Sequence, residues 1–425
     1  MLDIKLFREN PDVIRENLRR RKDDEKLKWI DEVIKNDQKA KKIKSELDSL
    51  RSSRNSLSQQ INKLKKEGKS VKKVLIEVKT VPARIRTLEV GYAKLQEKII
   101  KRLLSFPNIM HESVPYGRDD SENVEVKAYG KKPNFTFKLK SHVEVGENLG
   151  VLDFDESAKI AGAGFYYLKS DLALLNQALI NFARDKMVKK GFVYMEPPLM
   201  MRRKSYEGVT DVEDFENVMY KIEDEDLYMI ATSEHPLVAY YMNSFVKPED
   251  LPIKLVGYSI CFRKEIGSRG IDTKGIWRTH QFNKVEMVII CNPEESWNLH
   301  EEMKKISEEV LKDLKLPFRV VNICTGDLGI VAAKKYDMEV WRPRLEKYGE
   351  VMSCSNCTDY QARRLGIKIV DKQGNKVIAH TLNNTVLATS RILVAIMENY
   401  QQKDGTIKVP AVLVPYMNGK NFIGK

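Results

Sequence analysis

Charged side chains stand inside two apolar stretches that otherwise have the pattern of paired β-strands. Residues 259–262 precede a loop and residues 282–290 follow it, and the second stretch alternates apolar residues as a half-buried strand does. Arg263 and Glu265 are spaced two apart, which predicts that they share one face of the first strand, and Glu286 lies within the second. Because buried charges need partners, we expect these side chains to converge on a ligand in a cleft.

A single arginine, Arg391, lies in a long apolar stretch. Between residues 379 and 397 it is the only Asp, Glu, Lys or Arg, and the pattern predicts a helix near residues 385–401. Two interpretations stay open: a structural ion pair with a buried carboxylate such as Glu265 or Glu286, or contact with a bound anion. Several arginines and carboxylates together favour a ligand with phosphates and a metal, because guanidinium groups bind phosphate oxygens and carboxylates hold Mg²⁺ or an ammonium group.

Other signatures offer little alternative chemistry. The sequence has neither a GxxxxGK[ST] loop nor a strand–GxGxxG–helix unit, and its one CxxC pair, Cys354 and Cys357, supplies two of the four ligands of a structural zinc. We expect no structural zinc and interpret the five cysteines as small buried residues. With no secretory signal and no apolar run of ~20 residues, we expect a cytoplasmic protein without a membrane partner.

Charge separates the first quarter of the chain from the rest. The net charge is +13, and residues 1–110 hold 29 lysines and arginines against 16 acidic residues, so the whole excess lies there. A basic element on a neutral body predicts a polyanionic partner for that element. A solvated lysine-rich helix is the alternative interpretation.

Two heptad runs predict that this first quarter contains an antiparallel coiled-coil hairpin. Mostly apolar positions recur at spacings of four and three over residues 43–64 and 74–99, with a turn at Gly68 between them. A first helix over about residues 28–66 would make an arm ~55–60 Å long. We expect Pro82 to kink the second helix or break it locally. The basic outer faces favour an arm that reaches nucleic acid over one that only mediates dimerisation.

The rest of the chain alternates short strands with few helices, which we place near residues 172–189, 294–314 and 385–401. Because strands outnumber crossover helices, the pattern predicts an antiparallel sheet flanked by helices. We therefore expect an α+β protein, with a helical domain over residues 1–110 and a catalytic domain over residues 111–425.

Taken in order, these segments resemble a known family. "FRKE", "HQFNKVE" and "NNTVLATSRILVAIMENYQ" resemble motifs 2 and 3 of class II aminoacyl-tRNA synthetases, and "GFVYMEPP" resembles motif 1, whose proline lies at the dimer interface. With "FPNIMHESVP", "TSEHPL", "TGDLGIVAAKKYDMEVW" and "SCSNCTDYQARR", the sequence resembles the seryl-tRNA synthetases along essentially its whole length. The resemblance implies a ligase that makes seryl-adenylate from L-serine and ATP and transfers the seryl group to tRNA(Ser), and to tRNA(Sec) where present.

The resemblance also assigns site residues, of which Arg263 and Arg391 would be catalytic. The ATP site would comprise Arg263, Lys264, Glu265, Arg278, Thr279, Phe282, Glu350, Val351, Met352, Ser353 and Arg391. The serine site would comprise Thr232, Ser233, Glu234, Arg263, Glu286, Asn383 and Thr385. Mg²⁺, bound with ATP, would be coordinated by Glu350 and Ser353.

Within the ATP site the resemblance implies separate tasks. Arg263 would bridge the α-phosphate and the serine carboxylate, while Arg278 and Arg391 would hold the outer phosphates. Glu265 would meet the adenine amino group, and Phe282 would stack on the ring.

Within the serine site, the resemblance gives the ammonium group to residues 232–234 and the hydroxyl to Glu286 and Thr385, with Asn383 close by. Because the serine carboxylate is already the nucleophile, catalysis would consist of positioning and charge stabilisation, without a general base.

The resemblance implies partners as well. The basic arm would bind the long variable arm of tRNA(Ser) across a homodimer, and loop 266–277, where Trp277 departs from the family pattern, would approach the acceptor end. Three alternatives stay open: a relative that charges a carrier protein, a noncatalytic tRNA-binding relative, and a class II enzyme for proline or threonine. The basic hairpin argues against the first and third, and the retained Arg263, Glu286 and Arg391 argue against the second.

Overall fold

The computed structural model describes residues 1–211, 215–265, 274–370 and 373–424. The chain forms two compact units, one of Leu2–Ile109 and one of Met110–Lys425 together with Met1.

The N-terminal unit is helical. Its helices are α1 (Ile4–Glu9), α2 (Pro11–Arg21), α3 (Asp24–Lys66) and α4 (Lys72–Ser105). Helix α3 begins at Asp23, whose side chain accepts a hydrogen bond from the backbone N–H of Lys26. Between α3 and α4 the chain turns at Gly68, whose φ of +69° suits glycine because it lacks a Cβ.

The two long helices pack along the predicted heptad seam, which confirms the coiled-coil hairpin. Leu47 of α3 is buried against Ile85 and Leu88 of α4, and Ile43 and Tyr92 pack beside them. With 43 residues, α3 is ~65 Å long at 1.5 Å per residue.

Helix α4 runs unbroken through Pro82, so the local break that we expected there is not formed. The proline is exposed, so water can satisfy the backbone carbonyl that its missing N–H would have bound.

The second unit contains helices and strands in alternation. Its helices are α5 (His142–Asn148), α6 (Asp155–Ala161), α7 (Ser170–Lys189), α8 (Arg203–Glu207), α9 (Phe215–Val218), α10 (Glu234–Ala239), α11 (Ser296–Asp313), α12 (Tyr360–Leu365) and α13 (Thr389–Asn399). Its strands are β1 (Val124–Tyr129), β2 (Leu152–Asp153), β3 (Tyr167–Leu168), β4 (Val193–Met195), β5 (Met200–Met201), β6 (Tyr228–Met229), β7 (Phe245–Val246), β8 (Ile253–Phe262), β9 (Gln281–Cys291), β10 (Phe318–Asn322), β11 (Lys334–Arg342), β12 (Lys347–Asn356), β13 (Lys368–Val370), β14 (Lys376–Ile378), β15 (His380–Ala388), β16 (Ile407–Lys408) and β17 (Phe422–Ile423).

An eight-stranded sheet organises this unit, in the order β1-β10-β11-β12-β15-β9-β8-β4. The first seven strands pair antiparallel, and β4 joins the edge parallel to β8, so the predicted antiparallel sheet flanked by helices is confirmed.

Strand β9 explains how both faces of the sheet are used. Val285, Met287 and Ile289 point into a core shared with α7, α11 and α13. Val288 and Ile290 point to the other face, into a core with α8, α10 and α12. The sheet is therefore covered on both sides, and polar side chains at the start of β9 interrupt this apolar pattern.

The C-terminal helix begins later than the sequence suggested. Residues 380–388 form β15, and α13 starts only at Thr389, so the helix predicted near residues 385–401 was placed four residues too early. A strand buried on both faces gives an uncharged run that periodicity alone does not distinguish from a buried helix.

The five cysteines are all free and buried, as the sequence predicted. Across the described ranges, no helix has both the length and the apolar character needed to cross a membrane.

Candidate active site

A cavity of about 390 Å³ opens on the sheet face where β9, β12 and β15 lie side by side. The start of α10, the segment after β8 and the start of α13 complete its walls. It brings together most of the residues that the sequence nominated, namely Thr232, Glu234, Arg263, Glu265, Arg278, Thr279, Phe282, Glu286, Glu350, Val351, Ser353, Asn383, Thr385 and Arg391.

Three nominated residues lie outside the cavity lining. The Ser233 hydroxyl donates to the carbonyl oxygen of Gly257 at 3.0 Å and is fully buried. Met352 is buried in the hydrophobic core, because neighbouring residues of a strand point to opposite faces. Lys264 contributes its backbone N–H to the carbonyl oxygen of Val218 at 3.0 Å.

Alternation along β9 delivers three side chains to the cavity. Phe282, Lys284 and Glu286 line it, and the intervening Val285 packs into the core on the other face. The paired-strand interpretation therefore holds for this half of the hairpin.

A β-bulge in β12 brings Glu350 and Ser353 to the same side. Residues three apart on a regular strand point to opposite faces. The register with β11 pairs Met338 with Met352 but Glu339 with Glu350, so Val351 is an extra residue and the facing reverses.

A second bulge shapes β15. The register with β9 pairs Thr385 with Glu286 but Leu387 with Val285, which leaves Val386 as the extra residue. Asn383 and Thr385 therefore face the cavity before the bulge, and Ala388 faces it afterwards, immediately before α13 begins.

The first strand of the hairpin ends at Phe262, so Arg263 and Glu265 lie beyond it and not within it as predicted. The Arg263 backbone N–H still donates to the carbonyl oxygen of His280 at 2.9 Å, which continues the pairing by one residue. Glu265 has a φ of +47° and leaves the extended conformation. Both line the cavity because the chain turns there, and not because they alternate.

Arg263 is held in the cavity wall by a backbone carbonyl group and an aromatic ring. Its Nε and Nη2 donate to the carbonyl oxygen of Ala231 at 3.4 and 3.3 Å, and its guanidinium carbon lies 5.2 Å from the ring centre of Phe282. The backbone and the ring thus fix the direction of this charge.

Arg391 pairs with Glu350 and not with Glu265 or Glu286, the partners that the structural interpretation had named. Its Nη1 lies 3.1 Å from Glu350 Oε2 and donates to the Glu350 carbonyl oxygen at 2.9 Å. Burial raises the pKa of Glu350, but Arg391, Lys335 and Arg263 outweigh that effect and lower it overall.

Trp277 forms part of the wall behind Arg391. Its ring centre lies 5.7 Å from the Arg391 guanidinium carbon and 4.2 Å from that of Arg342, so the indole is placed between two cations. A Cβ at position 349 would lie 2.7 Å from the Trp277 ring, so only glycine at that position leaves room for the indole.

Loop 266–277, nominated for the tRNA acceptor end, lies mostly outside the described residues, which resume at residue 274. At its end, Ile276 and Trp277 are buried, so these two side chains belong to the protein interior.

At the opposite end of the cavity, Glu234 is held by two amide groups. Its Oε1 accepts from Gln361 Nε2 at 2.8 Å and from Asn383 Nδ2 at 3.0 Å. Burial, with a smaller contribution from the nearby charge of Glu286, raises the pKa of Glu234 to about 7.

Glu286 is fully buried and pairs with Lys284. The Lys284 Nζ lies 2.6 Å from Glu286 Oε2 and donates to Thr232 Oγ1 at 3.2 Å. Apart from this ion pair, neither carboxylate oxygen has a hydrogen-bond partner within the described residues, so both keep acceptor capacity. Burial raises the pKa of Glu286 overall. Among the groups that act to lower this pKa, Lys284 is the strongest.

The residues nominated for Mg²⁺ fit a site completed by a substrate. Glu350 offers one carboxylate and Ser353 one hydroxyl on the same cavity wall. Within the described ranges, no group of three or more His, Cys, Asp or Glu side chains could hold a metal by itself. Mg²⁺ is commonly held by one or two protein ligands, phosphate oxygens and water, so this sparse donor set suits it.

Sequence reasoning missed Lys284 and Gln361. Lys284 carries the signal that identified Glu286, a charge on the polar face of an apolar strand, and could have been found in that way. Gln361 lies on α12, remote in sequence from Glu234, so only the folded chain reveals the pairing.

The antiparallel sheet, its two bulges and a cavity lined by several arginines and carboxylates are those of a class II aminoacyl-tRNA synthetase. The class II core domain of tRNA synthetases (G, H, P, S and T) matches residues 219–400, and the seryl-tRNA synthetase N-terminal domain matches residues 1–110.

Relatives agree along the whole chain. A serine–tRNA ligase from Methanospirillum hungatei is 51% identical over 425 residues, with both chains covered completely. The crystal structure of seryl-tRNA synthetase from Pyrococcus horikoshii complexed with ATP superimposes with a TM-score of 0.94 at 46% identity, covering 100% of this chain and 99% of that one. The crystal structure of cytoplasmic serine-tRNA ligase from Naegleria fowleri in complex with AMP superimposes with a TM-score of 0.89 at 34% identity, covering 100% of this chain and 98% of that one.

The chain belongs to the seryl-tRNA synthetase family. It is therefore a ligase of class II, and the carrier-protein, noncatalytic and proline or threonine alternatives are set aside.

Proposed function

We propose that the cavity binds L-serine and ATP side by side and forms seryl-adenylate between them. The observation that carries this assignment is the division of one cavity into two ends. At one end Arg391 pairs with Glu350 beside Trp277. At the other end the carboxylates of Glu234 and Glu286 are held with Asn383 and Lys284, and Arg263 and Arg278 add positive charge to the lining. A zwitterionic amino acid and a polyphosphate fit this arrangement, because each charged group meets its opposite.

At the acidic end, Glu234 binds the serine ammonium group, with Thr232 beside it. Glu286 accepts a hydrogen bond from the serine hydroxyl, assisted by Thr385, which pairs with it across the sheet. A ligand without the hydroxyl leaves the buried Glu286 without this bond, so alanine binds much more weakly.

At the cationic end, Arg263 contacts both the serine carboxylate and the α-phosphate. Phe282 stacks on the adenine ring and Glu265 accepts from its amino group. Arg278 and Arg391 bind the outer phosphates, and the Arg391–Glu350 pair positions that guanidinium before the nucleotide arrives. Thr279 takes part mainly through shape, because its hydroxyl already donates to the Gln281 carbonyl oxygen at 2.9 Å.

Adenylation then needs no proton transfer from the protein. An oxygen of the serine carboxylate forms a bond to the α-phosphorus, and the bond from that phosphorus to the bridging oxygen of pyrophosphate breaks. Arg263 orients the two reacting groups and offsets the charge that develops between them. Glu350 and Ser353 would hold Mg²⁺, which supplies charge neutralisation on the phosphates when bound.

Transfer to tRNA completes the reaction. A terminal ribose hydroxyl of the tRNA attacks the seryl carbonyl carbon and forms the ester bond. The acyl–phosphate bond breaks, and AMP leaves with its electrons and takes up the hydroxyl proton on a phosphate oxygen. The α3–α4 hairpin, with its exposed lysines near residues 39–44, is the element suited to grip the long variable arm of tRNA(Ser), and of tRNA(Sec) where a cell has one. Loop 266–277 is assigned to the acceptor end.

A homodimer is part of this proposal. Strand β4 is the edge strand of the large sheet, and Val193, Tyr240 and Phe245 around it are 60%, 68% and 54% exposed. So much exposed apolar surface beside an edge strand is typical of an interface. Free cysteines and substrates such as tRNA suit a cytoplasmic location.

A non-hydrolysable seryl-adenylate analogue tests the two-ended cavity. We expect calorimetric titration to give one site per chain, competed by serine and by ATP separately. Glu286→Ala should weaken competition by serine alone, and Arg278→Ala competition by ATP alone. Binding that only one of the two ligands displaces would contradict a shared cavity.

A further inference from the structure

A buried lysine lies at the acidic end of the cavity, where a cationic ligand group is to bind. Lys284 follows Phe282 on the cavity face of β9 and is 9% exposed. Its Nζ is placed between Thr232 Oγ1 at 3.2 Å and Glu286 Oε2 at 2.6 Å. Burying an ammonium group is costly, so its position calls for an explanation.

The two carboxylates at this end are held differently. Glu234 accepts hydrogen bonds from the amides of Gln361 and Asn383, whereas the charged partner of Glu286 is Lys284. Within the described structure Glu234 has no cation at salt-bridge distance, and Arg263 acts on it only from further away. Glu234 is therefore the carboxylate where an incoming ammonium group fits.

The protonation state of Glu286 decides what it can recognise. An ionised carboxylate only accepts hydrogen bonds and so favours a ligand that offers a hydroxyl donor. A protonated carboxyl can donate a hydrogen bond itself and discriminates less between ligands with and without a hydroxyl. Burial favours the protonated form, and the adjacent Lys284 ammonium favours the ionised one.

We propose that Lys284 is a specificity-determining positioning residue, which favours the ionised form of Glu286, orients that carboxylate toward the side-chain hydroxyl and leaves Glu234 for the ammonium group of the amino acid. This inference rests on the proposed function, because it names the residue that makes the serine pocket selective. Lys284 contacts Glu286 and Thr232 and acts through them, without touching the reacting atoms.

The test compares wild type with Lys284→Met and Lys284→Gln in serine-dependent and alanine-dependent pyrophosphate exchange. Glutamine keeps a donor for Thr232 but removes the charge, and it decides the matter if the methionine variant does not fold. Lys186→Met is the matched control, because Lys186 is also largely buried and pairs at 2.6 Å with Asp313, outside the cavity lining.

For both Lys284 variants we expect kcat/KM for serine to fall about 30-fold or more, as for loss of one partner of a buried charge pair. The KM for ATP should stay within about twofold of the wild-type value, since the rest of the cavity is unchanged. The ratio of kcat/KM for serine to kcat/KM for alanine should fall in parallel with kcat/KM for serine. Lys186→Met should leave all three unchanged. Lys284→Arg should recover most of the ratio.

Two outcomes would overturn the inference. One is an unchanged ratio of kcat/KM for serine to that for alanine in folded Lys284→Met or Lys284→Gln. The other is an equal loss of kcat/KM for ATP and for serine, which a merely structural lysine would give. Failure of the proposed function is distinguishable, because it appears in the wild type as exchange that does not depend on serine.

Discussion

The guanidinium of Arg391 is bound twice by a single residue, Glu350. Its Nη1 donates to the Glu350 carbonyl oxygen at 2.9 Å and lies 3.1 Å from the Glu350 carboxylate. The pair joins the first turn of α13 to β12 across the cavity, so the position of the cation is fixed by the protein itself. A cation placed in advance stabilises developing charge without reorganising during the reaction.

Removing this cation should stop adenylation. We expect Arg391→Ala to lower kcat/KM for ATP in serine-dependent pyrophosphate exchange by ~10³-fold or more, the scale of other phosphate-binding arginines. Arg391→Lys should recover only part of the activity, because a lysine presents a single ammonium nitrogen to the phosphate oxygens in place of a planar, bidentate guanidinium group. Binding of tRNA should be almost unchanged in both variants. Arg319→Ala, which removes an ion pair with Glu339 outside the cavity lining, is the control, and normal exchange in Arg391→Ala would refute the role.

Serine binding should weaken as pH falls below neutrality. Glu234 has a pKa raised to about 7, chiefly by burial, and the ammonium group needs it ionised. Because the protonated fraction grows below that pKa, the KM for serine should rise up to about tenfold per pH unit below 7 and level off above it. Exchange assays from pH 5.5 to 8.5 measure this. Glu234→Gln should have a high serine KM that no longer varies with pH, and a flat wild-type profile would contradict the assignment.

Shortening the hairpin should separate the two half-reactions. Ile43 and Tyr92 pack at the same level of the seam, so deleting residues 44–91 and joining them through a short glycine linker keeps the base of the hairpin intact. Adenylate formation should persist, while tRNA charging should fall ~100-fold or more, because the phosphates of the variable arm are no longer bound. Pyrophosphate exchange and aminoacylation, measured on one preparation, give the comparison. Charging that survives the deletion would show that the hairpin is not the tRNA grip.

Binding of tRNA through the hairpin should depend on salt. Lys39, Lys41, Lys42 and Lys44 are exposed, and each phosphate that they neutralise releases counterions. We expect log affinity to fall linearly with log salt. When these four residues are changed to glutamine, the slope should become shallower by about 0.7–0.9 for each phosphate that is no longer neutralised. The same four changed to arginine should keep the slope. An affinity independent of salt would contradict the basic-arm interpretation.

Trp277 should report on the nucleotide end of the cavity. Its indole faces both Arg391 and Arg342, so Trp277→Leu removes the surface against which Arg391 lies. We expect a rise of about fivefold in the KM for ATP, the scale of one cation–π interaction, with the KM for serine unchanged. ATP should also change the tryptophan fluorescence of the wild type, and this change should be absent in Trp277→Phe but present in Trp297→Phe, which alters a tryptophan outside the cavity lining. A fluorescence response retained in Trp277→Phe would place the nucleotide elsewhere.

How far the sequence leads can be seen by comparing β9 with β12. In β9 strict alternation carries Phe282 and Glu286 to one face, and the pattern alone predicts it. In β12, Glu350 and Ser353 share a face only because Val351 is an extra residue in the register. A bulge depends on the partner strand, so no local pattern announces it, and here the resemblance supplied what periodicity could not.

The same limit applies to Arg391. Its isolation among uncharged residues indicated that it needs an anionic partner, either a buried carboxylate or a ligand. The element around it was misjudged, because a doubly buried strand and a buried helix have similar composition. Its partner Glu350 is 41 residues away in the sequence, and only the folded structure reveals that the two residues pair. The heptads of the hairpin, in contrast, are local and repeated, and they correctly predicted the seam in which Leu47, Ile85 and Leu88 are buried.

Pyrophosphate exchange measured with each of the twenty amino acids tests the central claim most directly. The account predicts ATP-dependent exchange with L-serine, much slower exchange with alanine, and selective loss of the serine signal in Glu286→Ala. Exchange driven by proline or threonine at the rate of serine, or exchange that Glu286→Ala leaves intact, would contradict it.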